Sequence, residues 1–160
     1  MGHERLPSEG PALLLANHFN ALVDPLVLLA VSERPLRVVA KHTLWKVPVL
    51  GRALEATRAI PVHRTRDDPE ARRRNEEFFR TCVEALAGGE ALAIFPEGRS
   101  HDEPAPVPLR TGAARMALAA VARGSAPSVL PVGLNYDEKG TFRSGLTVLV
   151  GEPLQERAES

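Results

Sequence analysis

His18 and Asp24, six positions apart in the stretch ANHFNALVDP, are the residues of this chain best suited to proton transfer. An imidazole has an ordinary pKa of about 6.5, so it can take a proton from a hydroxyl near neutral pH. A carboxylate on its other ring nitrogen would hold the tautomer and stabilise the imidazolium, giving a general-base dyad that needs no protein nucleophile. The same pair also reads as a loop histidine and a helix cap, because Asp24 followed by Pro25 is an ordinary helix opening. AIFPEGRS offers a second group: an apolar run ending at Phe95 and Pro96, then Glu97, Gly98, Arg99 and Ser100. Gly98 allows a tight turn and Arg99 brings a forked donor matched to phosphate, while a solvated strand-end turn is the plainer alternative. Ser100 lacks the G-x-S-x-G elbow of a nucleophilic serine. RAIPVHR is third, delivering Arg64 at the end of an apolar run with Arg58, His63 and Arg66 nearby, where several positive groups can converge on one anion. A solvated basic loop paired with Asp67, Asp68 or Glu70 competes with that reading and is preferred for Arg66 and Arg72 to Arg74. No metal is expected, since His3, His18, His42, His63 and His101 are scattered without zinc-ligand spacing.

These residues sit at the ends of short apolar runs that alternate with helical patterns, which predicts a single α/β domain over residues 1–160 with a mixed or largely parallel sheet flanked by helices. Strands are expected at Ala12 to Ala16, Leu36 to Ala40, Ala59 to Val62, Ala91 to Phe95, Ser128 to Leu134 and Leu146 to Val150. One helix should open at Asp24 as N-cap and run to about Val31. A second, opened by Asp68 and Pro69, should reach Ala87 with Ala71, Phe78, Cys82 and Leu86 inward and Gly88 and Gly89 as its stop. A third spans about Thr111 to Arg123, with Met116 and Ala120 inward. The proline-rich HDEPAPVP before it reads as an extended, mobile loop.

Composition narrows the function classes. Lys and Arg total 20 against 20 Asp and Glu, so the basic footprint of a nucleic-acid binder is missing and any anion site must be local. The lone Cys82 forms no internal disulfide, and no N-terminal stretch reads as a signal peptide, so a reducing, cytoplasmic setting is expected. Runs such as PALLLA and PLVLLAV fall well short of the ~20 residues of a membrane span, so contact with a membrane would be peripheral.

The three segments, in this order, resemble the phospholipid and glycerol acyltransferase family, which includes lysophosphatidate and glycerol-3-phosphate acyltransferases. NHFNALVD is similar to the family's His-and-Asp block, RAIPVHR to its second block ending in arginine, and FPEGRS to its acceptor-binding block. VLPVGL at Val129 to Leu134 is similar to the fourth, and LPSEGPALLLANH and PLRTGAARMAL resemble connecting segments, so the likeness covers nearly the whole chain. The resemblance implies an O-acyltransferase in which His18 is the base, Asp24 orients it, and Arg64, Glu97, Gly98 and Arg99 shape the acceptor site. It also implies an acyl-CoA or acyl-carrier-protein donor, a glycerol-phosphate or lysophospholipid acceptor, no other cofactor, and work at the inner face of the membrane. Within TLWKVPVLG, Leu44 and Trp45 are candidates for acyl-chain or membrane contact beside Lys46.

Two departures from the family pattern stand out. Five residues, Phe19 to Val23, separate His18 from Asp24 where four are usual. On one continuous helix that spacing would put the side chains about 120° apart, so a loop must precede the helix if they are to meet. Arg58 stands where a glycine often opens the second block, and it would either narrow the site or add a phosphate contact. A silent lipid-binding protein of the same fold and an acyl-thioester hydrolase are the competing functional readings.

Overall fold

The structure is a computed structural model that describes residues 1–63, 69–101, 107–138, 141 and 144–154. Its sheet has six strands in the order β3-β2-β4-β1-β5-β6, formed by β1 (Ala12–Ala16), β2 (Leu36–Lys41), β3 (Ile60–Val62), β4 (Ala91–Ile94), β5 (Ser128–Tyr136) and β6 (Leu146–Val150). All neighbours pair in parallel except β5 with β6. The fold is therefore the mixed, largely parallel α/β sheet expected from the alternating pattern.

Strand polarity explains the two cores. Alternate residues of β1 face opposite ways: Ala12, Leu14 and Ala16 join one buried cluster and Leu13 the other. The first cluster takes Leu28 from α1 (Val23–Val31), which links β1 to β2. The second takes Cys82, Val83 and Leu86 from α3 (Pro69–Ala87) and Ala113, Met116 and Ala120 from α4 (Gly112–Val121). In the strand order, the β1-to-β2 step runs opposite to the steps from β3 to β4 and from β4 to β5. Right-handed crossovers must then place α1 on one face and α3 and α4 on the other, which is the division found. Gly89, at φ 82°, ends α3 in the left-handed conformation that a side chain disfavours.

The structure adds an element that the sequence pattern did not suggest. TLWKVPVLG forms a 3-10 turn at His42–Lys46 followed by α2 (Pro48–Ala56), with proline in the first turn. Its Gly51 lies so close to the Trp45 carbonyl that a Cβ would sit 2.7 Å from that oxygen. Asp68, the expected opener of α3, and most of the proline-rich loop lie outside the described residues. Parallel pairing brings the carboxyl ends of β1 to β5 to one edge of the sheet, the edge where α/β proteins bind ligands.

Candidate active site

At that edge β1 ends in Asn17, whose side-chain amide pairs with the backbone of Leu134 on β5. Its Nδ2 donates to the Leu134 carbonyl at 2.9 Å, and its Oδ1 accepts the Leu134 N–H at 2.6 Å. The ladder is thereby carried one residue beyond the strand, and the following turn is tied down. The chain then turns through residues 18–22 before α1 begins, so His18 and Asp24 do not share a helix. Their side chains meet at 3.0 Å, Nδ1 to Oδ2, both buried. An ionised carboxylate can only accept, so Nδ1 carries the hydrogen and Nε2 keeps the free lone pair. Phe95 stacks on the imidazole, with centroids 4.1 Å apart and planes 19° from parallel.

Asp24 is not the helix cap expected of it. It lies inside the first turn of α1, fully buried. The capping work falls to Asn20, whose Oδ1 accepts the N–H groups of Leu22 and Val23 at 3.2 and 3.1 Å. Asp24 instead turns back to accept the Asn20 N–H at 2.7 Å on Oδ2, and the Tyr136 hydroxyl donates to its Oδ1. Burial, and then the Asp24 carboxylate itself, push the Tyr136 phenol well above its ordinary range, which keeps it a donor.

Beyond β4 the chain makes the tight turn expected at Gly98, whose N–H reaches the Phe95 carbonyl at 3.0 Å and whose φ is 73°. A Cβ at Gly98 would collide with the side chain of Arg110. Glu97 is turned away from the open side: its Oε2 accepts the His18 backbone N–H at 2.9 Å and lies 2.9 Å from His101 Nε2. The His101 N–H in turn reaches the His18 carbonyl at 3.1 Å. Glu97 thus braces the turn that carries the imidazole, and it is absent from the lining of the cavity that His18 faces.

His18, Gly98 and Arg99 line one cavity of about 1490 Å³, larger than the about 300–1,000 Å³ usual for small-molecule pockets. Leu22, Leu44, Val62, Phe79, Ile94 and Met116 make much of its wall apolar, and exposed Arg99, Arg110 and Arg115 stand at its margin. The Arg115 guanidinium lies 5.2 Å from the Phe79 ring centroid. Arg99 and Arg110 have no carboxylate partner among the described residues. His63, at the end of β3, also lines the cavity and stacks on His42 with centroids 4.2 Å apart. Partial burial, then His42 and Arg74, lower its proton affinity.

Of the residues expected at the site, His18, Asp24, Gly98 and Arg99 come together here. Arg64 lies outside the described residues. Leu44 lines the cavity, whereas Trp45 is half-buried on the 3-10 turn and does not. Arg58 is at the opposite, amino end of the sheet, 3.3 Å from Glu90, so it neither narrows the site nor contacts a ligand there. Sequence reasoning missed Asn17, Asn20, Arg110 and Tyr136. Asn17 and Asn20 lay inside NHFNALVD and Arg110 inside PLRTGAARMAL, whereas Tyr136 fell outside every quoted segment.

A buried imidazole and carboxylate thus stand at the carboxyl edge of a largely parallel α/β sheet and open on an apolar cavity with guanidinium groups at its margin. The chain belongs to the Acyltransferase family, whose profile matches residues 1–135. It is 34% identical over 99 residues to a "DGAT1/2-independent enzyme synthesizing storage lipids" of Bos taurus, a match covering 59% of this chain and 25% of that protein. It is 27% identical over 96 residues to the 1-acyl-sn-glycerol-3-phosphate acyltransferase of Borreliella burgdorferi, covering 60% and 36%. The crystal structure of the 1-acyl-sn-glycerophosphate acyltransferase PlsC from Thermotoga maritima has a similar fold, with a TM-score of 0.69 at 19% identity over 100% of this chain and 62% of that one. The matched region spans between a quarter and about a third of the length of these curated relatives.

Proposed function

We propose that this chain transfers a fatty acyl group from a thioester, acyl-CoA or acyl-carrier protein, to a hydroxyl of a phosphate-bearing glycerol or lysophospholipid. The observation that carries the reading is the 3.0 Å His18 to Asp24 contact at the wall of an apolar cavity. His18 Nε2 would take the proton of the acceptor hydroxyl as its oxygen attacks the thioester carbonyl. The new C–O bond forms, the C–S bond breaks, and the proton passes from the imidazolium to the departing thiolate. Asp24 supports this by holding Nδ1–H and by offsetting the charge on the ring. The apolar wall suits the acyl chain, and Arg99 and Arg110 suit the acceptor phosphate, with Arg64 as a further candidate.

Work at a membrane surface, on its cytoplasmic side, belongs to the same proposal. No helix among the described residues is long and apolar enough to cross a membrane. Leu22, Leu26 and Leu109 are exposed and also line the cavity, an apolar margin fitted to a lipid surface. The test is to incubate the protein with one acyl-CoA and a panel of acceptors and identify the products by mass spectrometry. An acylated phosphate-bearing acceptor is expected. Free fatty acid alone would make the protein a thioester hydrolase, and no thioester consumption with any donor or acceptor would make it a silent lipid binder.

A further inference from the structure

The dyad has a third member from a distant part of the chain. Tyr136, the only tyrosine present, stands at the end of β5, 112 positions from Asp24, and its hydroxyl donates to Asp24 Oδ1. The other two donors to Asp24, the His18 ring and the Asn20 N–H, both land on Oδ2. Two bonds to one oxygen leave the carboxylate free to pivot about it. A donor on the other oxygen fixes the plane of the group, and with it the direction in which Oδ2 meets the imidazole. Asp24 is fully buried, so water cannot readily supply that donor.

We infer that Tyr136 is a positioning residue: by donating to Oδ1 it sets the orientation and the charge of the carboxylate that holds His18. The inference rests on the general-base reading of His18. Tyr136 is half-buried against the core cluster that includes Leu134, so its ring packing and its hydroxyl can be separated by mutation. The phenol stays protonated for the reasons already given, and donates throughout the working pH range. Each hydroxyl-to-carboxylate bond draws negative charge from the face presented to His18. Removing it leaves more charge there, favours the imidazolium, and delays release of the active neutral ring to higher pH. Among the described residues, Glu97 and His101 are the other titratable groups bonded to the His18 turn, and both bond its backbone, whereas Tyr136 reaches His18 through Asp24.

The test uses the intact chain and the pH dependence of acyl-transfer kcat/KM. Tyr136→Phe should lower kcat about tenfold with little change in acceptor KM, and should move the acid limb to higher pH. Replacing the single tyrosine by 3-fluorotyrosine, a more acidic and stronger donor that keeps the hydroxyl, should move the limb to lower pH. An acid limb that stays in place or moves the same way in both proteins would overturn the inference and leave Tyr136 a structural tether. The fluorinated protein keeps the test open if the phenylalanine variant misfolds. Full turnover in His18→Ala would overturn the general-base reading, and this inference with it; an inactive His18→Ala with immobile limbs overturns this inference alone.

Discussion

Nδ1 of His18 lies 3.0 Å from Oδ2 of Asp24 although six positions separate them, because the chain leaves β1 in a turn and enters α1 only at Val23. A continuous helix would have pointed the two side chains apart. Asn20 makes the turn workable, since it takes over the cap and frees Asp24 to face the imidazole.

If His18 is the base, His18→Ala should fold normally and lose about 10²–10⁴ in transfer rate, the usual contribution of a positioned general base. Steady-state turnover beside a circular dichroism melt checks both halves. An unfolded variant would mark a structural histidine instead.

The acceptor phosphate should depend on the guanidinium groups at the cavity margin. Arg99→Ala and Arg110→Ala should each lower kcat/KM for a phosphorylated acceptor about ten- to a hundredfold, and leave the donor KM nearly unchanged. Equal use of phosphorylated and unphosphorylated acceptors by the unaltered protein would remove the phosphate clamp.

Asn17 should matter for stability first. Asn17→Ala removes both bonds to Leu134 and leaves that partly buried N–H and C=O without partners, at about 1–3 kcal/mol for each group left unsatisfied. Urea denaturation should show the loss, and the turn that bears His18 should loosen with it.

Cys82 supplies a pH prediction. Burial pushes its thiol from 9.0 up to about 12, so the folded chain holds the proton more tightly than the unfolded one. Stability from this group is complete below pH 9 and is lost as pH rises from about 9 towards about 12. Cys82→Ala should flatten that part of the stability curve, and a thiol reagent should label Cys82 only on unfolding. Rapid labelling of the folded protein would contradict the burial argument.

Strands were legible because β1 and β4 are continuous apolar runs and β2, LRVVAK, is apolar but for Arg37 and Lys41, the pattern of buried parallel strands. Strand ends moved by a residue or two: β2 runs on to Lys41 and β5 to Tyr136. The extension of β5 matters, since it delivers Tyr136 to Asp24 through the pairing of β1 with β5, a relation that no local pattern encodes. The short helix α2 was hidden because Leu44, Val47, Val49 and Leu50 read as one apolar patch, although Pro48 carried a helix-start signal. Asp24 misled for a physical reason: aspartate before proline is a common cap, and only the placement of Asn20 shows that the role was already filled. Arg58 adopts φ 53°, which explains why a glycine suits that position.

The proposal that a charged carboxylate supports a general base stands or falls most directly on Asp24→Asn. The amide oxygen can take the place of Oδ2 and still accept from His18 Nδ1 and the Asn20 N–H, while the amide NH₂ faces Tyr136, whose hydroxyl oxygen can accept. Hydrogen-bond geometry therefore survives and the negative charge does not. Transfer rate and Tm measured on the same preparation should separate, with turnover down by roughly 10²–10⁴ and Tm nearly unmoved. Near-normal turnover in a folded Asp24→Asn protein would contradict the dyad and leave Asp24 a purely structural anchor of the turn.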